Sequence, residues 1–276
     1  MNIPILFGIV CFREKYWKSQ SFKNLIESYY QGLYDYQLYI SIYDNTDFDE
    51  WDSISDSPDF NNINIKYYRD ASNTGISAAF NHFAKLSQQI NAQWIVFLDQ
   101  DTSLPINFFQ QYLEKSLNTN KNIAFPKVYA KKYLLSPSYY KWYRTSVINN
   151  ISTELLLENI TAINSGMMIR SDFYLQNGGY NKDLRLDFCD HEFIERINNK
   201  NIVADIIDVS LYQEFSSQTN NKKKSIERYK LYIKDLKIYG KNKNKILFFL
   251  RVDLLHLLKE IYRNRSLEFL KIRLNG

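Results

Sequence analysis

The run Gln93-Trp94-Ile95-Val96-Phe97-Leu98 constrains this chain more than any other stretch, because it is apolar without alternation and stops at Asp99-Gln100-Asp101-Thr102. A strand with no polar face must be covered on both sides, which places it at the centre of a sheet flanked by helices. Two carboxylates one residue apart at its carboxyl end then sit where open α/β sheets bind ligands. Kept dry and unpaired they are costly. A divalent cation bridging to a diphosphate removes the cost, since hard oxygen ligands suit Mg²⁺ or Mn²⁺. A solvated turn or a helix start is the plainer reading of the same tripeptide.

The flanking sequence supports such a sheet. Apolar strands are expected over Ile5–Cys11, Gln37–Tyr43 and Ile63–Tyr68, with a helix around Phe22–Tyr30 and a polar acidic loop from Asp47 to Asn62. After Asn73-Thr74-Gly75 a helix is expected with Ser77 as its N-cap and Ala78, Ala79, Phe80, Phe83 and Leu86 on its buried face. This strand–helix alternation is that of a doubly wound sheet. Further on, a helix is expected over Ile106–Leu117, strands over Ile123–Tyr129, Ala162–Arg170 and Ile202–Val209, and a mobile loop over Lys131–Asn150. Asn177-Gly178-Gly179-Tyr180 reads as a turn, and Asp187–Arg196 as a loop entering a helix.

Charge divides the chain. Of its 35 Lys and Arg and 30 Asp and Glu, the stretch from Lys222 to Gly276 holds 16 and 5, leaving 19 and 25 for the rest. An acidic body from 1 to 218 followed by a basic helical extension from 219 to 276 is the domain organisation this implies. Within the extension, Lys245–Leu258 is strongly apolar but broken by Arg251 and Asp253. Two readings stand side by side: a helix lying on an anionic membrane surface, or a helical pair packed on the body with a solvated basic face. No nucleic-acid recognition motif accompanies the basic residues, and no nucleic-acid partner is expected. Cys11 and Cys189 are the only two cysteines, which reads as a reduced, cytoplasmic chain. The opening apolar run fits a strand better than a signal peptide, and no stretch reaches the length of a membrane span.

Other residues carry chemistry in the same order along the chain. Asp44, ending a strand, is placed to accept a hydrogen bond from the imide of uracil or thymine, or simply to form a turn with Asn45. Asn73-Thr74-Gly75 lets backbone approach a ligand at a helix start, or is a plain tight turn. In Asp187-Phe188-Cys189-Asp190-His191-Glu192, Asp190 is a candidate general base, and Glu192 a hydrogen-bonding partner of the acceptor. An acidic first helical turn is the alternative there, and His191 reads as a surface or supporting residue.

Together these features resemble glycosyltransferase family 2, and within it the rhamnosyltransferase-like branch, over Ile5 to Gln213. The Asp-Gln-Asp-Thr form of the motif after an apolar strand is the most branch-specific part. The resemblance implies a GT-A fold and an inverting transferase acting on a dTDP- or UDP-sugar, dTDP-rhamnose first. The setting it implies is bacterial surface polysaccharide assembly, of the O-antigen or capsule type. The acceptor would be a glycan carried on polyprenyl diphosphate at the inner face of the plasma membrane. It implies Phe12 and Asp44 near the nucleotide base, Asn73 and Gly75 on the donor side, and Asp99 and Asp101 at the diphosphate and metal. It also implies Ser165 and Gly166 with Glu192 on the acceptor side, and Asp190 as base. Two positions depart from the family pattern: Cys189 replaces the first acid of a Glu-Asp pair, and Gln213 stands where many relatives have a metal-binding His. Both favour the alternative of a non-catalytic nucleotide-sugar or glycan-binding protein on the same fold. A nucleotidyltransferase would need a Gly-rich basic loop after the first strand, and Cys11-Phe12-Arg13-Glu14 is not one.

Overall fold

The computed structural model describes residues 5–32, 34, 36–47, 56–60, 62–198, 201–213 and 222–275. Most of the loop expected between Asp47 and Asn62, and the expected domain boundary at 218, lie outside these residues.

Apolar alternation builds two layers on one sheet. Strand β1 (Ile5–Cys11) sends Leu6 and Val10 to one face and Ile5, Phe7, Ile9 and Cys11 to the other. Helix α1 (Gln20–Tyr30) is capped by Ser19, whose hydroxyl accepts from the Phe22 N–H. Strands β2 (Leu38–Asp44) and β3 (Ile63–Arg69) follow, then helix α2 (Ile76–Gln89), β4 (Trp94–Asp99), the two-residue β5 (Thr102–Ser103) and α3 (Phe108–Asn118). Gly75, not Ser77, is the N-cap of α2; Ser77 lies buried inside the helix.

Strand β6 (Ile123–Ala130) leads into β7 (Tyr133–Ser136), β8 (Ser138–Lys141) and β9 (Arg144–Val147). The mobile loop expected over Lys131–Asn150 is therefore strands. Its Tyr, Thr and Val residues are β-formers, and β8 pairs antiparallel with β9 from Ser138↔Val147 to Lys141↔Arg144. The strand expected over Ala162–Arg170 is also corrected. Strands β10 (Glu154–Leu156) and β11 (Ile160–Thr161) precede a turn at 162–167, and only β12 (Met168–Arg170) is extended there. Helices α4 (Ser171–Gln176) and α5 (Cys189–Asn198) and strand β13 (Val203–Gln213) complete the body.

The large sheet has the order β10-β13-β6-β12-β4-β1-β2-β3, with β5 added to β13 and β7 to β6. Strands β3, β2, β1 and β4 run parallel, and β12 is antiparallel to both β4 and β6. The chain goes from β1 to β2 and β3 on one side and to β4 on the other. The switch point thus lies between β1 and β4, and the ligand crevice opens above their carboxyl ends. Phe80 of α2 stacks on Phe97 of β4 at 4.3 Å, which locks that helix to the central strand.

The basic extension forms α6 (Lys222–Gly240), α7 (Lys245–Phe248), a π turn (Phe249–Asp253), α8 (Leu254–Asn264) and α9 (Glu268–Asn275). Tyr229, Tyr232, Ile233, Leu236, Tyr239, Phe248, Leu257 and Phe269 are buried in one cluster with Phe80, Phe97 and Phe193 of the body. The other side of these helices exposes Ile246, Leu258, Tyr262, Leu267 and Leu274.

Candidate active site

Three backbone turns shape the crevice. At the end of β4, the Ser21 hydroxyl donates to the carbonyls of Asp99 and Thr102, and the Ser21 N–H donates to the Gln100 carbonyl at 3.1 Å. Gln100 reaches back to the end of β1: its Oε1 accepts from the Phe12 N–H at 2.6 Å, and its Nε2 donates to the Phe12 carbonyl at 3.3 Å. The middle residue of Asp-Gln-Asp is thus a clasp between the two strands at the switch point. Sequence reasoning passed over it, although its place between the two aspartates was a signal.

Asp99 lies at the bottom of the crevice. Its carboxylate accepts from Asn164 Nδ2 at 3.1 and 3.3 Å, from the Ser165 hydroxyl, and from Gln213 Nε2 at 3.4 Å. All of these donors are neutral. Burial pushes its carboxyl up to about 6; Asp101 and Asp190 add to the rise, while the Ser165 and Asn164 hydrogen bonds oppose it. Asp101, in the β4 turn, and Asp190, in the first turn of α5, thus each act on Asp99. Gln213, at the end of β13, comes to the same carboxylate.

Ser165 and Gly166 support Asp99 from behind. Ser165 is 0% exposed, with its hydroxyl on Asp99. Gly166 has φ +78°, donates its N–H to the Phe97 carbonyl at 2.7 Å and accepts from the Tyr112 hydroxyl at 2.6 Å. A Cβ there would meet Leu211 at 2.5 Å and Pro126 at 2.6 Å. Both residues were expected on the acceptor side; in the structure the Ser165 hydroxyl is on Asp99, and Gly166 is held between the Phe97 carbonyl and the Tyr112 hydroxyl.

The second turn joins β2 and β3 to α2. Asp44 is 1% exposed, and its oxygens accept from the Thr46 N–H at 2.9 Å and the Tyr67 hydroxyl at 2.8 Å. Asp70, which the sequence reading did not single out, organises Asn73-Thr74-Gly75. It accepts from the Ser72 N–H at 3.1 Å and the Thr74 N–H at 2.8 Å, and from the Ser72, Thr74 and Tyr43 hydroxyls. Burial alone would raise its carboxyl, but these hydrogen bonds outweigh burial and hold it down at about 2. Asn73 has φ +50°, and Gly75 has φ +98°. A Cβ at Gly75 would lie 2.1 Å from the Arg185 carbonyl, so only glycine fits the helix start against that loop. Phe12, at the rim, is 39% exposed.

The third turn carries Asp190. The backbone N–H groups of Arg185, Leu186 and Asp187 donate to the Asp235 carboxylate of α6 at 2.8–3.0 Å, and Arg228 grips the Asp187 carboxylate at 2.5 and 2.6 Å. Phe188, at φ +64°, then turns the chain into α5. Asp190 Oδ1 accepts from the His191 N–H at 2.8 Å, and its Oδ2 takes no hydrogen bond from the described residues. Cys189 is buried, and burial pushes its thiol up, so the side chain before Asp190 is neutral. Glu192, expected beside the acceptor, has both oxygens on Arg196 at 2.9 and 3.0 Å. Arg196 in turn donates to the carbonyls of Asn177 and Gly179, pinning the Asn177–Tyr180 turn. An acceptor hydroxyl at Glu192 would compete with that guanidinium.

Among the described residues no three His, Cys, Asp or Glu side chains cluster as a complete metal cage. Two carboxylates, one raised by burial and served only by neutral donors, fit a hard cation whose other ligands come from a diphosphate and water. Residues 8–176, more than half the chain, match the family model described as Glycosyl transferase family 2. The chain belongs to glycosyl transferase family 2. The matched span of this family 2 chain holds the β1, β2 and β4 turns and ends before Asp190. Its fold is the GT-A fold. S. aureus TarS 1–349 in complex with UDP superposes with a TM-score of 0.54 at 13% identity, over 85% of this chain and 65% of that one. The same protein in complex with UDP-GlcNAc gives 0.55 at 12%, over 98% and 81%. GalNAc-T7 with UDP, GalNAc and Mn²⁺ gives 0.57 at 12%, over 92% and 57%. The chain thus spans about two thirds of the first of these. No curated protein matches its sequence.

Proposed function

We propose that this chain transfers a sugar from a nucleotide diphosphate donor to an acceptor hydroxyl with inversion at the anomeric carbon. The observation that carries the reading is Asp99 at the carboxyl end of β4, beside the switch point, where Asn164, Ser165 and Gln213 converge on its carboxylate and Asp101 and Asp190 act on its charge. Asp99 and Asp101 would hold Mg²⁺ or Mn²⁺, which when bound neutralises the departing diphosphate. Phe12 offers an exposed ring at the rim to the nucleotide base. Asp44, Asn73 and Gly75 form the donor-side floor, with Asp44 fixing the strand end and any contact to the base coming in addition to its hydrogen bonds from the Thr46 N–H and the Tyr67 hydroxyl. Ser165 and Gly166 fix the position of Asp99. Asp190 takes the proton of the acceptor hydroxyl as that oxygen bonds to the anomeric carbon and the bond to diphosphate breaks on the opposite face. Its uncommitted Oδ2 suits that role.

The donor proposed first is dTDP-rhamnose, on the resemblance of the Asp-Gln-Asp-Thr motif. UDP-sugars follow, supported by the UDP, UDP-GlcNAc and Mn²⁺ of the solved neighbours. A surface-polysaccharide acceptor on polyprenyl diphosphate would suit a chain held at the inner membrane face by the exposed apolar residues of α7 to α9 with their Lys and Arg neighbours. No helix among the described residues is long and apolar enough to cross a membrane.

The test is binding and turnover of a panel of dTDP- and UDP-sugars with and without Mn²⁺ or Mg²⁺. Wild type should bind one donor in a cation-dependent way, and Asp101→Ala should lose that binding by at least tenfold. Asp190→Asn should keep donor affinity and lose turnover by at least a hundredfold. Binding of a nucleotide sugar with no effect of Asp190→Asn on any property would favour the non-catalytic reading instead. No binding of any nucleotide sugar would remove both.

A further inference from the structure

Helix α7, the π turn and α8 follow one another without a break from Lys245 to Asn264, a continuous helix about 30 Å long. Its two sides are the reverse of what water favours. The side against the body carries Phe248 and Leu257, but also two acids, Asp253 at 3% and Glu260 at 5% exposure. The opposite side carries Ile246, Leu250, Leu255, Leu258 and Tyr262, all exposed and the last of them 87%. Successive members of each stripe lie three or four residues apart, the spacing of neighbours on one helix face. Each stripe has one step of five, Phe248 to Asp253 and Leu250 to Leu255. Both steps cross the π turn, whose wider turn takes up the extra residue and keeps the two stripes in line.

The inward acids are held by cations of the extension itself. Arg273 of α9 donates its Nε to the Asp253 carboxylate at 2.7 and 2.9 Å, and a terminal nitrogen of the same guanidinium lies 2.6 Å away. Glu260 pairs with Arg263 at 3.1 Å and accepts from Asn264 Nδ2 at 3.1 Å. Glu268, the third acid between Lys241 and Gly276, pairs with Lys222 at 3.1 Å. A carboxylate taken out of water is costly even when paired, and a helix made only for water would turn Asp253 and Glu260 outward. Turning them in clears negative charge from the outer side. Against those three acids the same stretch has nine Lys and Arg. Lys245, Lys259, Arg265 and Lys271 are exposed, each one or two positions from an exposed Ile or Leu. Arg251 donates to the Trp142 carbonyl at 3.2 Å, which brings the tip of the β8–β9 hairpin and a 61% exposed indole beside this helix. Indoles favour the boundary between water and lipid.

We propose that the outer face of α7 to α9 docks on a bilayer of anionic lipid and lies along its surface. The apolar stripe enters the acyl boundary while the exposed Lys and Arg meet the headgroups. The buried acids decide the occupant. An uncharged apolar partner gives no reason to hide two carboxylates, and a second copy of the same face would set like charges against each other. An anionic surface gives the reason and matches the cations. This face deepens the transferase reading by naming its membrane partner and rests on that reading for its purpose, but vesicle binding needs neither donor nor acceptor.

The experiment uses the full chain and sedimentation with vesicles of phosphatidylcholine alone, or of an equal mixture with phosphatidylglycerol, at low and high salt. Wild type should bind the mixed vesicles at least tenfold more tightly than the neutral ones, and high salt should remove most of that difference. Leu258→Asp and Tyr262→Asp, both at exposed positions, should each weaken binding to mixed vesicles tenfold or more while the melting temperature stays within error. Lys259→Gln combined with Lys271→Gln should weaken it to a similar degree. No binding of either vesicle, equal binding of both, or binding that ignores all of these variants overturns the proposal. So does a dimer in light scattering that Tyr262→Asp breaks, if the wild-type chain ignores vesicles. Should the vesicles bind as expected while no nucleotide sugar does, the docking face stands and the transferase reading falls.

Discussion

Asp99 is a residue whose local environment works against its charge. Burial raises its carboxyl to about 6 from the usual carboxylate range, so the folded state binds the proton more tightly than the unfolded chain. That difference favours the fold below about pH 4 and is lost as pH rises through about 6. Without divalent cation, Asp99→Asn should therefore raise stability at pH 7.5, by up to about 3 kcal/mol, and change little at pH 4. Melting curves in EDTA at the two pH values check this; a lower melting temperature for the variant at pH 7.5 would sink it. The same variant should lose cation-dependent donor binding. The sequence pointed to Asp99 and Asp101 because chemistry at a strand end leaves a local pattern. It did not point to Gln100 or Asp70, whose importance lies in what they reach across space, and for the same reason it could not foresee the Ser165 hydroxyl on Asp99 or both Glu192 oxygens on Arg196.

The elements divide along similar lines. Strands β1 to β4 and their helices were legible because burial on two faces or one stripe writes a period into the sequence. The β7–β9 segment was not, since an exposed polar hairpin lacks that period and its Tyr and Ser content reads equally well as loop. The helices of the extension were legible, but not which face they bury. His256 of α8 shows what that face costs. It stacks on Tyr232 at 3.8 Å and lies parallel to Tyr229. Burial lowers its imidazole to about 4, with Lys259, Arg228 and Arg263 lowering it further and Asp253 opposing them. The fold therefore binds this proton less tightly than the unfolded chain, and stability is intact above about pH 6.5 and lost as pH falls toward 4. His256→Phe, which keeps a ring in the stack, should flatten the fall in melting temperature between pH 6.5 and 4.5. An unchanged fall would place the acid sensitivity elsewhere.

Across the whole molecule, the division between acidic body and basic extension is real in charge, yet the two share one buried cluster. Asp235 is the sharpest link, because one carboxylate from α6 serves three backbone N–H groups of the loop before Asp190. Asp235→Ala would leave those groups without their acceptor, each costing about 1–3 kcal/mol if it stays buried. We expect a lower melting temperature, unchanged cation-dependent donor affinity and a turnover loss of tenfold or more, because the donor floor is built from other turns. Loss of donor binding in step with turnover would show that the loop also holds the donor. The arrangement has a consequence for the order in which the protein is made. A chain emerging from the ribosome completes the β1, β2 and β4 turns first and then the segment bearing Asp190, while the anchor for that segment is still unsynthesised. On the proposed reading, a growing chain would thus gain the turns that hold the donor before it could fix the loop that carries its base.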